Sequence, residues 1–264
     1  MADLRASIRL QREILRSLGF ACVEEEPVFP SSSVESSPEP AVGASSRVPA
    51  PTPQPTRRPR DDRFAAPLSR DERHSDEQRR SDLAQVASEV TTCRRCDLHL
   101  MRTRAVAGEG SPSARLFVIG ELPSEDDDHA GAPFRGGELE TLMTNILKAI
   151  GFKREEVFVT HAVKCRPPQG RSPHESELEC CHEFLARQVQ AIQPEVIVCF
   201  GQAALQSLMA EEESRILSKC RGRWLDYRGI AVMPTFALPY IARNTDRKRV
   251  VWADLQLVMK RLGE

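Results

Sequence analysis

No run in this chain of 264 residues approaches the about 18 consecutive apolar residues that a membrane helix needs. The N-terminus, Met1-Ala2-Asp3-Leu4-Arg5, lacks the charged-then-apolar layout of an export signal, so a cytoplasmic location is expected. Neither sign of charge is in excess. With 37 Lys and Arg against 38 Asp and Glu, the net charge of −1 says nothing for or against a polyanionic partner, and local patterning has to decide. An internal repeat is missing, which argues against a solenoid. Missing too is a second close pair of cysteines, which a zinc ribbon normally has. In a reducing compartment the eight cysteines bind metal or stay free rather than pair.

What the chain does have is Cys93-x2-Cys96 with two distant companions, Cys165 and Cys181. A C-x2-C pair plus two remote thiolates is the pattern of a metal or iron–sulfur site, and the 15-residue gap between Cys165 and Cys181 tilts the choice from zinc to a [4Fe–4S] cluster. Spacing alone leaves Cys180 as an alternative to its neighbour Cys181. Cys22, Cys199 and Cys220 read as ordinary cysteines. Cys165 sits in a basic, Pro-rich run, Lys164-Cys165-Arg166-Pro167-Pro168, which points the site toward a polyanion.

Three regions separate by composition. Residues 1–25 place Leu4, Ile8, Leu10, Ile14, Leu15 and Leu18 at roughly helical spacing, predicting an amphipathic helix suited to a protein partner. Residues 26–81 are rich in Pro, Ser, Arg and acidic residues and predict a disordered linker, whose Arg57-Arg58-Pro59-Arg60 run reads as a solvated charge cluster. The folded domain is expected over 82–264. Apolar runs at 116–119, 157–159, 196–200 and 230–233 read as buried strands, and helical patterns fall at 138–150, 175–192, 202–209 and 247–262. Strands alternating with helices predict an α/β fold with a parallel sheet covered on both faces. Ligands of such sheets sit at the carboxyl ends of the strands, here the loops from Gly120, Thr160, Gly201 and Thr235.

One of those loops carries a recognisable run. Gly120-Glu121-Leu122-Pro123-Ser124-Glu125-Asp126-Asp127-Asp128-His129-Ala130-Gly131-Ala132-Pro133-Phe134 resembles the first motif of the family 4 uracil-DNA glycosylases, the iron–sulfur branch of their superfamily. The likeness continues through Lys164 to Pro168, Arg171-x-Pro173 and Cys181, then Arg221-Gly222-x-Trp224, Thr235, Arg243-Asn244 and Lys248-x3-Trp252-x-Asp254-Leu255. It covers nearly all of 90–264. The resemblance implies a three-layer α/β/α fold around a small central parallel sheet. It implies a structural [4Fe–4S] cluster on Cys93, Cys96, Cys165 and Cys181 that ties together loops contacting DNA. It implies base-excision repair, by hydrolysis of the N-glycosidic bond of uracil or a related deaminated base, in a protein expected to act as a monomer.

That reaction requires a flipped nucleotide, an electron-poor sugar and an anionic leaving base. By resemblance, Phe134 stacks on the base, the backbone near Leu122 meets its edge, and Glu121 and Asp127 orient water or stabilise the sugar cation. The rest of the acidic run 125–128 reads as a solvated loop. Arg166, Arg171, Arg243 and Lys248 lie beside the motifs and are expected phosphate contacts.

Three positions depart from the family pattern. His161 stands where an Asn reads the uracil edge. A neutral imidazole has its donor and acceptor on opposite sides of the ring and cannot copy the bidentate amide contact. Ala237, in Thr235-Phe236-Ala237-Leu238, stands where the family has a His that donates to the base oxygen; losing such a donor typically costs about 10²–10³ in rate. Ser124 replaces a Gly at which a close backbone approach is expected. His161 is the candidate to replace the lost electrophile. Two readings follow: an active glycosylase with a retuned pocket, or a catalytically impaired DNA-binding or adaptor module on the same scaffold.

Overall fold

The computed structural model describes residues 75–209 and 215–263. The predicted helix at 1–25, the basic run at 57–60 and Cys22 lie outside the described residues. Helix α1, Asp76–Thr92, begins inside the stretch read as linker. Ser75 Oγ accepts from the Gln78 amide at 3.2 Å, and Asp76 and Glu77 occupy the first turn, where an N-terminus favours negative charge. The helix has few apolar residues and buries Val86 and Val90 against Phe184. That narrow stripe is why its polar composition reads as linker.

The core is a six-stranded sheet in the order β1-β3-β2-β4-β6-β5, with β1 Glu109–Gly110, β2 Leu116–Gly120, β3 Phe158–His161, β4 Val196–Phe200, β5 Leu225–Tyr227 and β6 Ile230–Thr235. The four inner strands are parallel, as expected, and the short edge strands β1 and β5 run antiparallel to their neighbours. The inner strands are buried on both faces, which is why they read as continuous apolar runs.

Alternation along the strands sorts the helices into layers. Leu116, Val118, Val196, Val198 and Phe200 face α3 (Gly137–Ala149), α7 (Leu238–Arg243) and α8 (Lys248–Leu262). Phe117, Ile119, Ile197 and Cys199 face α4 (Glu175–Ile192) and α5 (Gln202–Leu208). The remaining helices are α2, Glu125–Ala130, and α6, Leu217–Cys220. The three-layer α/β/α arrangement is therefore present.

The sheet order puts a switch point at β2: the chain leaves it for β3 on one side and returns to β4 on the other. Crevices for ligands open at such points. Gly120, the last residue of β2, is in register with His161, the last of β3.

Candidate active site

Helix α2 is built from the acidic run expected to be a solvated loop. Ser124 Oγ accepts from the Asp127 amide and the Ser124 amide donates to Asp127 Oδ2, both at 3.1 Å, a reciprocal cap. Ser124 has an ordinary negative φ, so the glycine expected there is not needed by the backbone, and the hydroxyl starts the helix instead. Asp127 and Asp128 are both buried, which corrects the solvated reading of Asp128; its Oδ2 accepts from the Thr103 amide at 2.9 Å.

The cap aims Asp127 at β3. Its Oδ1 accepts from the Arg135 amide at 2.6 Å, and its Oδ2 meets His161 Nε2 at 3.0 Å in a pair whose side chains are each 2% exposed. Burial raises the Asp127 carboxyl, but His161 and the two amides outweigh it and hold the group below the usual carboxylate range. His161 is pulled below its ordinary value, first by burial and then by the Lys164 and Arg154 charges, with Asp127 opposing. The shift favours the neutral ring.

Phe134 touches the same imidazole, ring centroids 4.6 Å apart. Both rings press on Gly120: a Cβ there would lie 2.4 Å from Phe134 Cζ and 2.5 Å from His161 Nδ1. Phe134 holds a left-handed φ of +50°, uncommon for a bulky residue and typical of strain kept at a site. Arg154 donates to Pro133 O at 2.8 Å and to Glu109 at 3.0 Å, and Arg135 makes two bonds to Glu109. That ion-pair cluster fixes the Phe134 loop. Neither Glu109 nor Arg135 stood out in the sequence, because a pair spanning strand and loop leaves no local spacing.

Glu121 follows Gly120 but turns to the next strand. Its Oε1 accepts from the Ala203 amide at 3.0 Å, at the start of α5, and it fills the space above Gly201. Burial pushes its carboxyl up while the helix amides pull it down. Leu122 is half-buried against the α4-side core. The structure thus brings Asp127, His161 and Phe134 together, and seats Glu121 beside them on the far side of Gly120.

The expected phosphate contacts differ. Arg166 is half-buried and pairs with Glu125 at 2.9 Å. Arg171 makes two bonds to Glu177, whose carboxylate also accepts from the His174 amide, so it clamps the start of α4. Arg243 is exposed and donates to Pro239 O, and Lys248 is half-buried at the start of α8. At the last motif, Ala237 precedes α7 with no side-chain cap, and Thr235 donates to Asp254, which receives two bonds from Arg221. These motif residues form a buried brace under the carboxyl end of β6.

Cys93 and Cys96 stand half-buried after α1, and Cys165 and Cys181 are buried on the β3–α4 connection and on α4. None of the four is in a disulfide. Cys96 senses Cys165, Cys165 senses Cys93, and Cys181 senses both Cys96 and Cys165. Among the described residues, no three such side chains close on one point as ligands of a single ion would. Burial pushes the Cys96 and Cys181 thiols up to about 12. Arg102 donates to Cys165 Sγ at 3.1 Å and the Lys164 amide to Cys181 Sγ. Cys180 also neighbours Cys96, but its thiol donates to Arg95 O at 3.4 Å. Lys164, missed by sequence reasoning as anything but a basic flank, is fully buried. Its Nζ donates to Thr160 Oγ1, His161 O and Gln188 Oε1 at 2.6–2.9 Å, and burial takes it down to about 7.

The uracil DNA glycosylase superfamily model matches residues 107–256. The chain is 39% identical over 181 residues to a type-4 uracil-DNA glycosylase of Thermotoga maritima, covering 67% of this chain and 93% of that protein. It is 40% identical over 143 residues to one of Archaeoglobus fulgidus, covering 53% and 71% respectively. It is 34% identical over 182 residues to one of Sulfurisphaera tokodaii, covering 67% and 83%. No helix among the described residues is long and apolar enough to cross a membrane.

Proposed function

Because the chain belongs to the uracil DNA glycosylase superfamily, and within it to the type-4 branch, we propose that it excises uracil or a related deaminated base from DNA by hydrolysing the N-glycosidic bond. The observation that carries this reading is the meeting of Phe134, His161 and Asp127 at the carboxyl ends of β2 and β3, beside the switch point. Phe134 is the aromatic face for a flipped base. Asp127 is a positioning residue, since all three of its bonds go to the protein and it is buried. Glu121, half-buried at the crevice, is the carboxylate left to stabilise the sugar cation and direct water. Arg166, Arg243 and Lys248 meet phosphates; Arg171 is committed to Glu177.

Cys93, Cys96, Cys165 and Cys181 would hold a [4Fe–4S] cluster. The donor set fits. Four thiols outside disulfides, from three segments, lie within electrostatic reach of one another, with N–H groups directed at two of the sulfurs. Its contribution when bound is structural: it ties the 93–96 turn to the Cys165 loop and α4. The protein acts as a monomer, with residues 1–25 engaging a partner.

A second reading, a DNA-binding module without catalysis, is favoured by one observation. Phe134 and His161 touch over Gly120, and Ala237 has no polar side-chain atom for the departing base. Single-turnover excision on a uracil-containing oligonucleotide, with protein in excess and alkali-sensitive breaks scored, separates the two. Cleavage by the natural chain supports the glycosylase. Cleavage only after His161→Asn is combined with Ala237→His supports the module.

A further inference from the structure

Asp127 decides which nitrogen of His161 carries the proton. An ionised carboxylate only accepts, so its 3.0 Å contact with Nε2 exists with the hydrogen on Nε2. In the neutral ring, Nδ1 then offers only a lone pair. That atom is buried and has no hydrogen-bond partner among the described residues, and it points to the space above Gly120 beside the edge of Phe134. Buried acceptors left unmatched cost stability, so one kept beside a crevice calls for a role, such as meeting a ligand. Phe134 is the group that must turn aside to admit that ligand.

We propose that the Nδ1 lone pair of His161, held by Asp127, is the specificity-determining acceptor of the pocket. The pocket takes bases with a ring N–H on their pairing edge, such as uracil, hypoxanthine and xanthine, and rejects cytosine and adenine, which present a lone pair there. This rests on the glycosylase reading and goes beyond it in one respect. An amide reads the ring N–H and the adjacent carbonyl together, whereas a lone acceptor reads the N–H alone. Changes at the carbonyl are therefore tolerated, and loss of the N–H is not. Burial supports the assignment by keeping the ring neutral against Asp127, with the Lys164 and Arg154 charges acting in the same direction as burial.

The test measures binding of the intact protein to oligonucleotides carrying 2′-fluoro-2′-deoxyuridine, which resists cleavage, its N3-methyl derivative, its 4-thio derivative, or 2′-fluoro-2′-deoxycytidine. The uridine and 4-thio probes should bind about ten- to a hundredfold tighter than the N3-methyl and cytidine probes, the loss expected when a buried acceptor goes unmatched. Equal affinity for the uridine and N3-methyl probes, both above undamaged DNA, overturns the inference and leaves the glycosylase reading standing. No preference for any probe over undamaged DNA overturns both. Independently, ¹⁵N spectra of histidine-labelled protein, assigned through His161→Asn, should show Nε2 protonated and Nδ1 bare at neutral pH. A protonated Nδ1 in the free protein overturns the inference without any DNA.

Discussion

Replacing Gly120 with Ala adds a single methyl group at the tightest point of the site. Gly120 lies in a strand with an ordinary backbone, so Ala meets no conformational penalty and gains roughly 0.5–1 kcal/mol over Gly from reduced chain entropy. Against this, the Cβ would approach Phe134 Cζ to 2.4 Å and His161 Nδ1 to 2.5 Å, so something must move. His161 is tied to Asp127, and the backbone at Phe134 is held by its left-handed conformation and the Arg154 bond to Pro133. Overpacking that pushes neighbours so held off their positions costs about 1–3 kcal/mol, leaving a net loss of at most about 2.5 kcal/mol. For a domain of this size that is a fall in Tm of at most roughly 10 °C. Excision should fall by much more than the stability loss accounts for, because the methyl occupies the space the base must enter. Differential scanning fluorimetry and single-turnover excision on the same preparation measure both. A variant with unchanged Tm and full excision would refute the packing of these two rings over Gly120.

Further outcomes follow from the buried charges. Arg221→Ala leaves Asp254, 4% exposed, without its cation; because Arg221 is itself 29% exposed, a loss near the low end of the about 3–5 kcal/mol for a broken buried pair is expected in denaturant titration. Thr235→Val removes one bond to the same carboxylate and should cost about 1 kcal/mol by the same assay. The pH dependence has a definite sign. His161 is lowered from 6.5 in the folded protein, so the unfolded chain binds the proton first and stability falls as pH drops below about 6.5, until the folded ring protonates. His161→Asn should flatten that part of the profile, while the Asp127 contribution, present above about 3.8, is lost only at lower pH. Cys165→Ser should yield protein with less bound iron, weaker visible absorption and a lower Tm than Cys180→Ser, whose thiol is spent on Arg95 O; equal losses would move the fourth ligand to Cys180.

Much of the site could be found in the sequence because its residues fall in short runs. The first motif places Glu121, Asp127 and Phe134 within one loop and helix, and Gly120 at the end of β2 and Gly201 just after β4 mark where a crevice forms. Helix α1 escaped notice because only Val86 and Val90 enter the core. Asp128 was misread because a four-residue acidic run looks the same whether its carboxylates meet water or backbone amides. The sequence predicts Arg171 as a phosphate contact because an Arg near a motif carries no sign of its partner, and Glu177 lies in the first turn of the next helix.

The chain's own pattern determines the layers and the strand ends, because burial on two faces and on one face write different periodicities into local sequence. It also determines which residue types are present where the family's pattern is not, at Ser124, His161 and Ala237. Only the tertiary structure decides what those residues do. The proton on His161 is placed by a carboxylate 34 positions away, and that carboxylate is aimed by the Ser124 cap and the Arg135 amide. Such couplings depend on distances between segments distant in sequence, and local composition carries no record of them.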